Sequence, residues 1–273
     1  MSNETIAREA AENFRQEHGL SDAPIENLTW FIENKLGVGV ARVADAQPGH
    51  GMTMSDGHRC LIAASCTNNP MRLRSTLAHE IGHLKLESVN RYLTYDQWEE
   101  RNSSEIQADA FARHFLLPLS AVKSMAFGKE VSEGLLSDLT QIYGVSSSIA
   151  AIQLREAGLI DQSTCTQWMK TPTATLAMRF GWHSDYNANA EESNTPRAPQ
   201  KLLAQAIEAY RWGVGSVAAI ARLTGQSNIE KIQSDLEATG IRPMEQRSFA
   251  ASKPADSGER LTPKELAQLM GHN

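Results

Sequence analysis

Residues 71–87, MRLRSTLAHEIGHLKLE, decide the fold. Leu73, Leu77, Ile81 and Leu84 recur at spacings of four, four and three, the period of a helix buried along one face and not of a strand. In front of them, Thr67-Asn68-Asn69-Pro70 supplies polar capping residues and a proline suited to the first helical position. His79 and His83 stand four apart on this helix, one turn above each other, so both imidazoles can reach a single ion at about 2.0–2.1 Å. Glu80 follows His79 directly, which sets its carboxylate beside the water on such an ion instead of on the ion itself. There it can accept the water proton and return it to a leaving amine, and zinc brings the pKa of that water toward about 7. An H-E-x-x-H sequence on a helix points to metal-assisted peptide hydrolysis.

A catalytic zinc needs a third protein ligand and an open fourth position. Glu105 is the leading choice, at the start of a second strong helix, SSEIQADAFARHFLLP over 103–118. Asp109, four residues on and on the same face, can accept the outer N–H of His79 and set its tautomer. Glu87 at the end of the first helix, and Glu99 and Glu100 in the intervening loop (88–102), are the alternatives. Tyr92 and Tyr95 in that loop are positioned to donate to a developing oxyanion. His114 in the second helix reads first as a surface or core histidine and second as a stabiliser facing the metal. His50, His58 and His183 fall in loops and read as solvated. Two histidines and one carboxylate suit zinc, and manganese, iron or cobalt also fit that ligand set.

Upstream, Ile6, Ala10 and Phe14 share one face of a helix over 3–18, and a second helix runs from about Ile25 to Leu36 before Gly37 stops it. Three extended segments follow at 38–44, 50–55 and 59–65, divided by Gln47-Pro48-Gly49 and by the hairpin dipeptide Asp56-Gly57. They predict a small, mostly antiparallel sheet standing just before the chemistry. Either 50–55 or 59–65 could offer an edge along which an extended peptide adds. Downstream, helices are expected at 119–127, 131–142 and 146–157, and residues 135–160 resemble a helix-turn-helix around Gly144. Residues 166–195 read as a linker, because the run 183–199 (HSDYNANAEESNTPRAP) is polar and contains proline. A small helical domain is expected over 196–245, with a second helix-turn-helix-like stretch at 216–240, and a disordered tail over 246–273.

Composition narrows the function classes. The formal net charge of -6 over 273 residues argues against a broad polyanion-binding surface, and few basic residues lie on the second helices of the helix-turn-helix-like stretches, so direct nucleic-acid binding is disfavoured. No basic start precedes an apolar run near the N-terminus and no stretch reaches about 18 apolar residues, so neither secretion nor a membrane is expected. Cys60, Cys66 and Cys165 form no C-x-x-C pair and read as reduced cytoplasmic thiols packed as small apolar residues.

The runs RLRSTLAHEIGHLKL and SSEIQADAFARHFLLP resemble the ImmA/IrrE family of metallopeptidases, in which the H-E-x-x-H helix is followed by E-x-x-A-[ND]-x-F-A and a Leu-Leu-Pro ending. The resemblance covers roughly residues 25–165. It implies an α+β fold: a zincin-like domain over 1–165, with a small sheet and two metal-binding helices, followed by helical C-terminal elements. It also implies a cytoplasmic zinc endopeptidase that cuts a helix-turn-helix transcriptional repressor of a prophage, mobile element or stress regulon. Many members carry their own DNA-binding module at the N-terminus; only about twenty residues precede the resemblance here, so the repressor is expected to be a separate protein. The competing class is a zincin-like module that antagonises a repressor or toxin partner by contact alone, and the presence of Glu80 favours the enzyme, because binding needs no base beside a metal.

Overall fold

The computed structural model describes residues 2–44, 50–57, 59–86 and 103–244. Helix α1 (Asn3–Glu17) starts at Ser2, whose hydroxyl accepts from the amide of Thr5, and buries Ala7, Ala11 and Phe14. Helix α2 begins at Leu28, capped by Asn27, and its last turn widens to a π-helix over Ile32–Leu36 before Gly37 closes it in the left-handed region. The chain then lays down β1 (Gly39–Val43), β2 (Gly51–Ser55) and β3 (Cys60–Ser65).

Strand order is β1-β3-β2, with β3 parallel to β1 and antiparallel to β2. The sheet is therefore mixed, where a mostly antiparallel one was expected, because β3 enters between the two earlier strands instead of extending the meander. Only the Asp56-Gly57 hairpin is antiparallel in the manner its turn chemistry dictates. With β3 in the centre, the strand over 59–65 has no open side, and β2 is the edge. The outer side of β1 is taken by Arg197, which exchanges main-chain hydrogen bonds with Arg42 (2.8 and 3.0 Å).

Helix α3 (Pro70–Lys85) begins at the expected proline, with Asn69 capping the amide of Arg72, and lies between the sheet and α4 (Ser103–Leu116). Its apolar positions Leu73, Leu77 and Ile81 are buried. Helix α1 packs along the opposite side of α4, and Phe14, Phe31, Phe111 and Phe115 meet there with ring centroids 5.5–6.4 Å apart. Two buried guanidiniums lock these helices to main-chain oxygens. Arg15 donates to the carbonyls of Ser21, Ala23 and Phe115. Arg74 on α3 donates to those of Ile25 (2.6 Å), Glu26, Tyr143 and Gly144 (3.0 Å), and burial pushes its pKa down to about 10.

Helices α5 (Leu119–Ala126), α6 (Glu133–Tyr143) and α7 (Ser147–Glu156) extend the same core. The stretch expected to be a linker departs from that reading. It holds the end of α8 (Gln162–Met169), α9 (Thr173–Arg179) and α10 (His183–Ser193), whose Trp168, Leu176, Ala177, Trp182 and Tyr186 are buried in the main core. The run 183–199 is polar because α10 exposes most of its circumference, yet four apolar residues spaced along 168–182 suffice to dock the segment. Beyond it, α11 (Gln200–Arg211), α12 (Val217–Thr224) and α13 (Ile229–Ala238) gather around a separate small core of Tyr210, Ile220, Ala221, Ile232 and Leu236. The tail expected over 246–273 lies outside the described residues.

The two parts are clasped at Glu33. Its buried carboxylate takes the Arg197 guanidinium and the amides of Gln200 (2.8 Å) and Val40 (3.2 Å). No helix among the described residues is long and apolar enough to cross a membrane.

Candidate metal centre

Helices α3 and α4 approach closely because small residues face each other where they meet. A Cβ on Gly82 would stand 3.2 Å from the Cα of Ala108 and 3.2 Å from the Phe111 ring. Gly82 is one of the two variable positions of the H-E-x-x-H run, and a glycine inside a helix costs about 1 kcal/mol against alanine, so it is retained for packing. That contact brings the first turn of α4 to the exposed face of α3, and with it Glu105 to the histidines.

His79 Nε2 lies 3.2 Å from one carboxylate oxygen of Glu105, and His83 Nε2 lies 3.2 Å from the other. The two Nε2 atoms are 2.9 Å apart. On the far side of the ring, His79 Nδ1 is 2.9 Å from Asp109 Oδ1, so Nδ1–H donates outward and Nε2 turns its lone pair inward. Both ring nitrogens can present lone pairs at this separation only to a cation shared between them. Burial works against a charged His79, but the hydrogen bond and charge of Asp109, with Glu80 and Glu105, outweigh it and hold the ring above the usual imidazole range. Burial and the neighbouring His79 push His83 below it. A divalent ion fits the same place: one atom each from His79, His83 and Glu105 lie within 4.8 Å of one another, and nitrogen, nitrogen and carboxylate oxygen suit a borderline ion.

Glu80 is beside this group and not in it. It is buried, with its Oε2 accepting from the Thr53 hydroxyl of β2 at 2.7 Å. Burial pushes its carboxyl above the ordinary carboxylate range; Thr53 and His79 pull the other way, and Glu105 adds to the push.

The IrrE N-terminal-like domain, a peptidase family, matches residues 34–155. Over that span the chain is similar to the ImmA/IrrE family of metallopeptidases. No curated protein matches the chain. The ImmA/IrrE match takes in both metal-facing helices and the whole sheet and ends in α7, so α8 to α13 lie beyond it.

Of the residues singled out in the sequence, the structure brings together His79, Glu80, His83, Glu105 and Asp109. His114 is placed elsewhere: nine positions after Glu105 it lies on the opposite face of α4, 1% exposed. Its Nε2 meets Glu4 at 2.7 Å and its Nδ1 meets the Gln153 amide at 3.1 Å, which ties α1 and α7 to α4. Tyr92 and Tyr95, and the alternative ligands Glu87, Glu99 and Glu100, lie outside the described residues, as does His58. His183 opens α10, where its ring meets Asn187 at 3.1 Å. Sequence reading passed over Thr53, Gly51 and Gly82. A mid-helix glycine between His79 and His83 was the one available signal; nothing local marks Thr53, because its partner is 27 residues away and the strand order that joins them is tertiary.

Proposed function

We propose that this protein is a zinc-dependent endopeptidase of the cytoplasm that cleaves a protein substrate, and that the substrate is a helix-turn-helix transcriptional repressor. The observation that carries the reading is the convergence of His79, His83 and Glu105 on one point with the buried carboxylate of Glu80 alongside, since a site meant only to bind has no use for a separate base. His79, His83 and Glu105 would hold the zinc ion, which would supply Lewis acidity toward the scissile carbonyl and toward water. Glu80 accepts the proton of the attacking water and passes it to the leaving amine. Asp109 keeps His79 in the tautomer that directs Nε2 inward.

Strand β2 supplies the path for the substrate. His50 O accepts from Ser65 N at 3.1 Å and Asp56 N donates to Arg59 O at 3.2 Å, so the even-numbered positions pair inward. Alternation turns the main-chain groups of Gly51, Thr53 and Ser55 toward the outer edge, where an extended peptide can add. Ser55→Pro removes one outward N–H and spares the ladder to β3. A raised KM with zinc content unchanged is expected; an unaltered KM removes the edge-strand part of the reading.

The test of the whole compares wild type and Glu80→Gln, each co-expressed with the genomically adjacent repressor, for metal content and for cut product. Retention of about one metal per chain with loss of cleavage in the variant is expected. Equal relief of repression by both, with no cut product, would mean that the chain acts by contact.

A further inference from the structure

Strand β2 touches the reaction twice, once by its main chain and once by its side chains. The outward main-chain groups of Thr53 face the edge, while its hydroxyl donates 2.7 Å to Glu80 Oε2. Two residues along the strand, on the same face, Gly51 lies against the other oxygen: a Cβ there would stand 2.5 Å from Glu80 Oε1, 2.9 Å from its Cγ and 2.8 Å from the Thr76 methyl. Gly51 has an ordinary negative φ, so glycine is required there for space and not for backbone freedom. Glu80 is 6% exposed, and among the described residues Oε1 has no hydrogen-bond partner.

A carboxylate base whose two oxygens are equivalent rotates about its last torsion, and a small misplacement of a reacting group costs on the order of 100-fold in rate. A hydroxyl committed to one oxygen, with a bare Cα against the other, leaves a single orientation. We propose that Thr53 is a positioning residue for Glu80: its hydroxyl fixes Oε2, Gly51 makes the room this needs, and Oε1 is left as the atom that takes the proton. The proposal rests on the peptidase reading. It also explains why one strand does both tasks. A peptide paired to the main chain of Thr53 is placed in register with the base held by the same residue's side chain, so substrate position and base position are set by one rigid element.

The test uses the full-length chain as wild type, Thr53→Val, Thr53→Ser and Glu80→Gln. Valine keeps the β-branched shape and loses the hydroxyl; serine keeps the hydroxyl. In the metal-free protein at one fixed pH, the 13C-carboxyl resonance absent from Glu80→Gln identifies Glu80. That resonance is expected to move in Thr53→Val and to stay near its wild-type position in Thr53→Ser. With zinc and a quenched peptide that the wild type cuts, taken from a peptide library, Thr53→Val is expected to lose about 10- to 100-fold in kcat. KM and zinc content stay unchanged, and Thr53→Ser remains within about 3-fold of wild type. Wild-type kcat in Thr53→Val, or an unmoved resonance, overturns the proposal. So does loss of zinc or a raised KM in Thr53→Val, either of which makes the residue structural. A wild type that cuts no peptide overturns the peptidase reading and the positioning role with it, whereas cutting by wild type and Thr53→Val alike overturns the positioning role alone.

Discussion

Helix pairs α6–α7 and α12–α13 carry the same local pattern, a short helix, a glycine turn and a second short helix capped by serine or asparagine, yet they are held in different ways. Leu135, Leu136 and Leu139 of α6 and Ala150, Ala151 and Leu154 of α7 are buried in the main core, and the turn between them, at Gly144, accepts a hydrogen bond from Arg74 of α3. Among the described helices the second pair shares its small core with α11, and α13 exposes Glu230, Lys231, Asp235 and Glu237, three acids to one base. A helix-turn-helix pattern thus specifies a corner and not its use. In α7 the buried face is committed to the main core, and in α13 the exposed face carries three acids to one base.

The largest expected contrast comes from core truncation. Leu139→Ala, at 0% exposure in the main core, should cost about 3–5 kcal/mol and lower the urea midpoint of the whole region built on that core. Ile232→Ala, at 6% exposure in the small core, should cost about 2 kcal/mol and speed amide exchange within 200–241 alone, with metal content unchanged. Exchange spreading equally through both regions in both variants would mean that they unfold as one unit.

The two turns give the next contrast. Gly144 and Gly225 both have φ in the left-handed region, at 60° and 67°, so an alanine at either should cost about 1–2 kcal/mol from backbone strain. At Gly144 the added Cβ would also stand 2.6 Å from Arg74 Nε, while at Gly225 its nearest neighbour is Pro196 Cβ at 3.3 Å. Gly144→Ala should therefore destabilise by about 3 kcal/mol against about 1–2 for Gly225→Ala. Equal losses in thermal melts would show that Arg74 moves aside freely.

A smaller effect concerns the clasp between the regions. Burial raises the Glu33 carboxyl, but Arg197 and the amides of Gln200 and Val40 outweigh it and hold the pKa below the usual carboxylate value. A depressed folded-state pKa contributes stability that is present above pH 4.5 and is lost as pH falls through the lower folded value. Urea midpoints should hold level above that pH and fall below it, and Glu33→Gln should flatten that acid slope. The smallest effect is expected at Glu230 on the exposed face of α13, where Glu230→Gln should change stability by no more than about 0.5 kcal/mol.

The sequence by itself determined the helices up to α7 and those after residue 199, the capped start of α3, the four-residue spacing of His79 and His83, the adjacent Glu80, and the four-residue spacing of Glu105 and Asp109. Each is a consequence of periodicity or of residue type within one or two turns, where local geometry leaves no choice. Tertiary structure alone decided the strand order that makes β2 the edge, the docking of α8 to α10, the burial of His114 away from the metal-facing face, and the contact of Thr53 and Gly51 with Glu80. The Thr53–Glu80 and Glu4–His114 contacts join residues 27 and 110 positions apart. Their partners are chosen by shape, burial and hydrogen-bond satisfaction across the whole core, information that no single window of the chain contains.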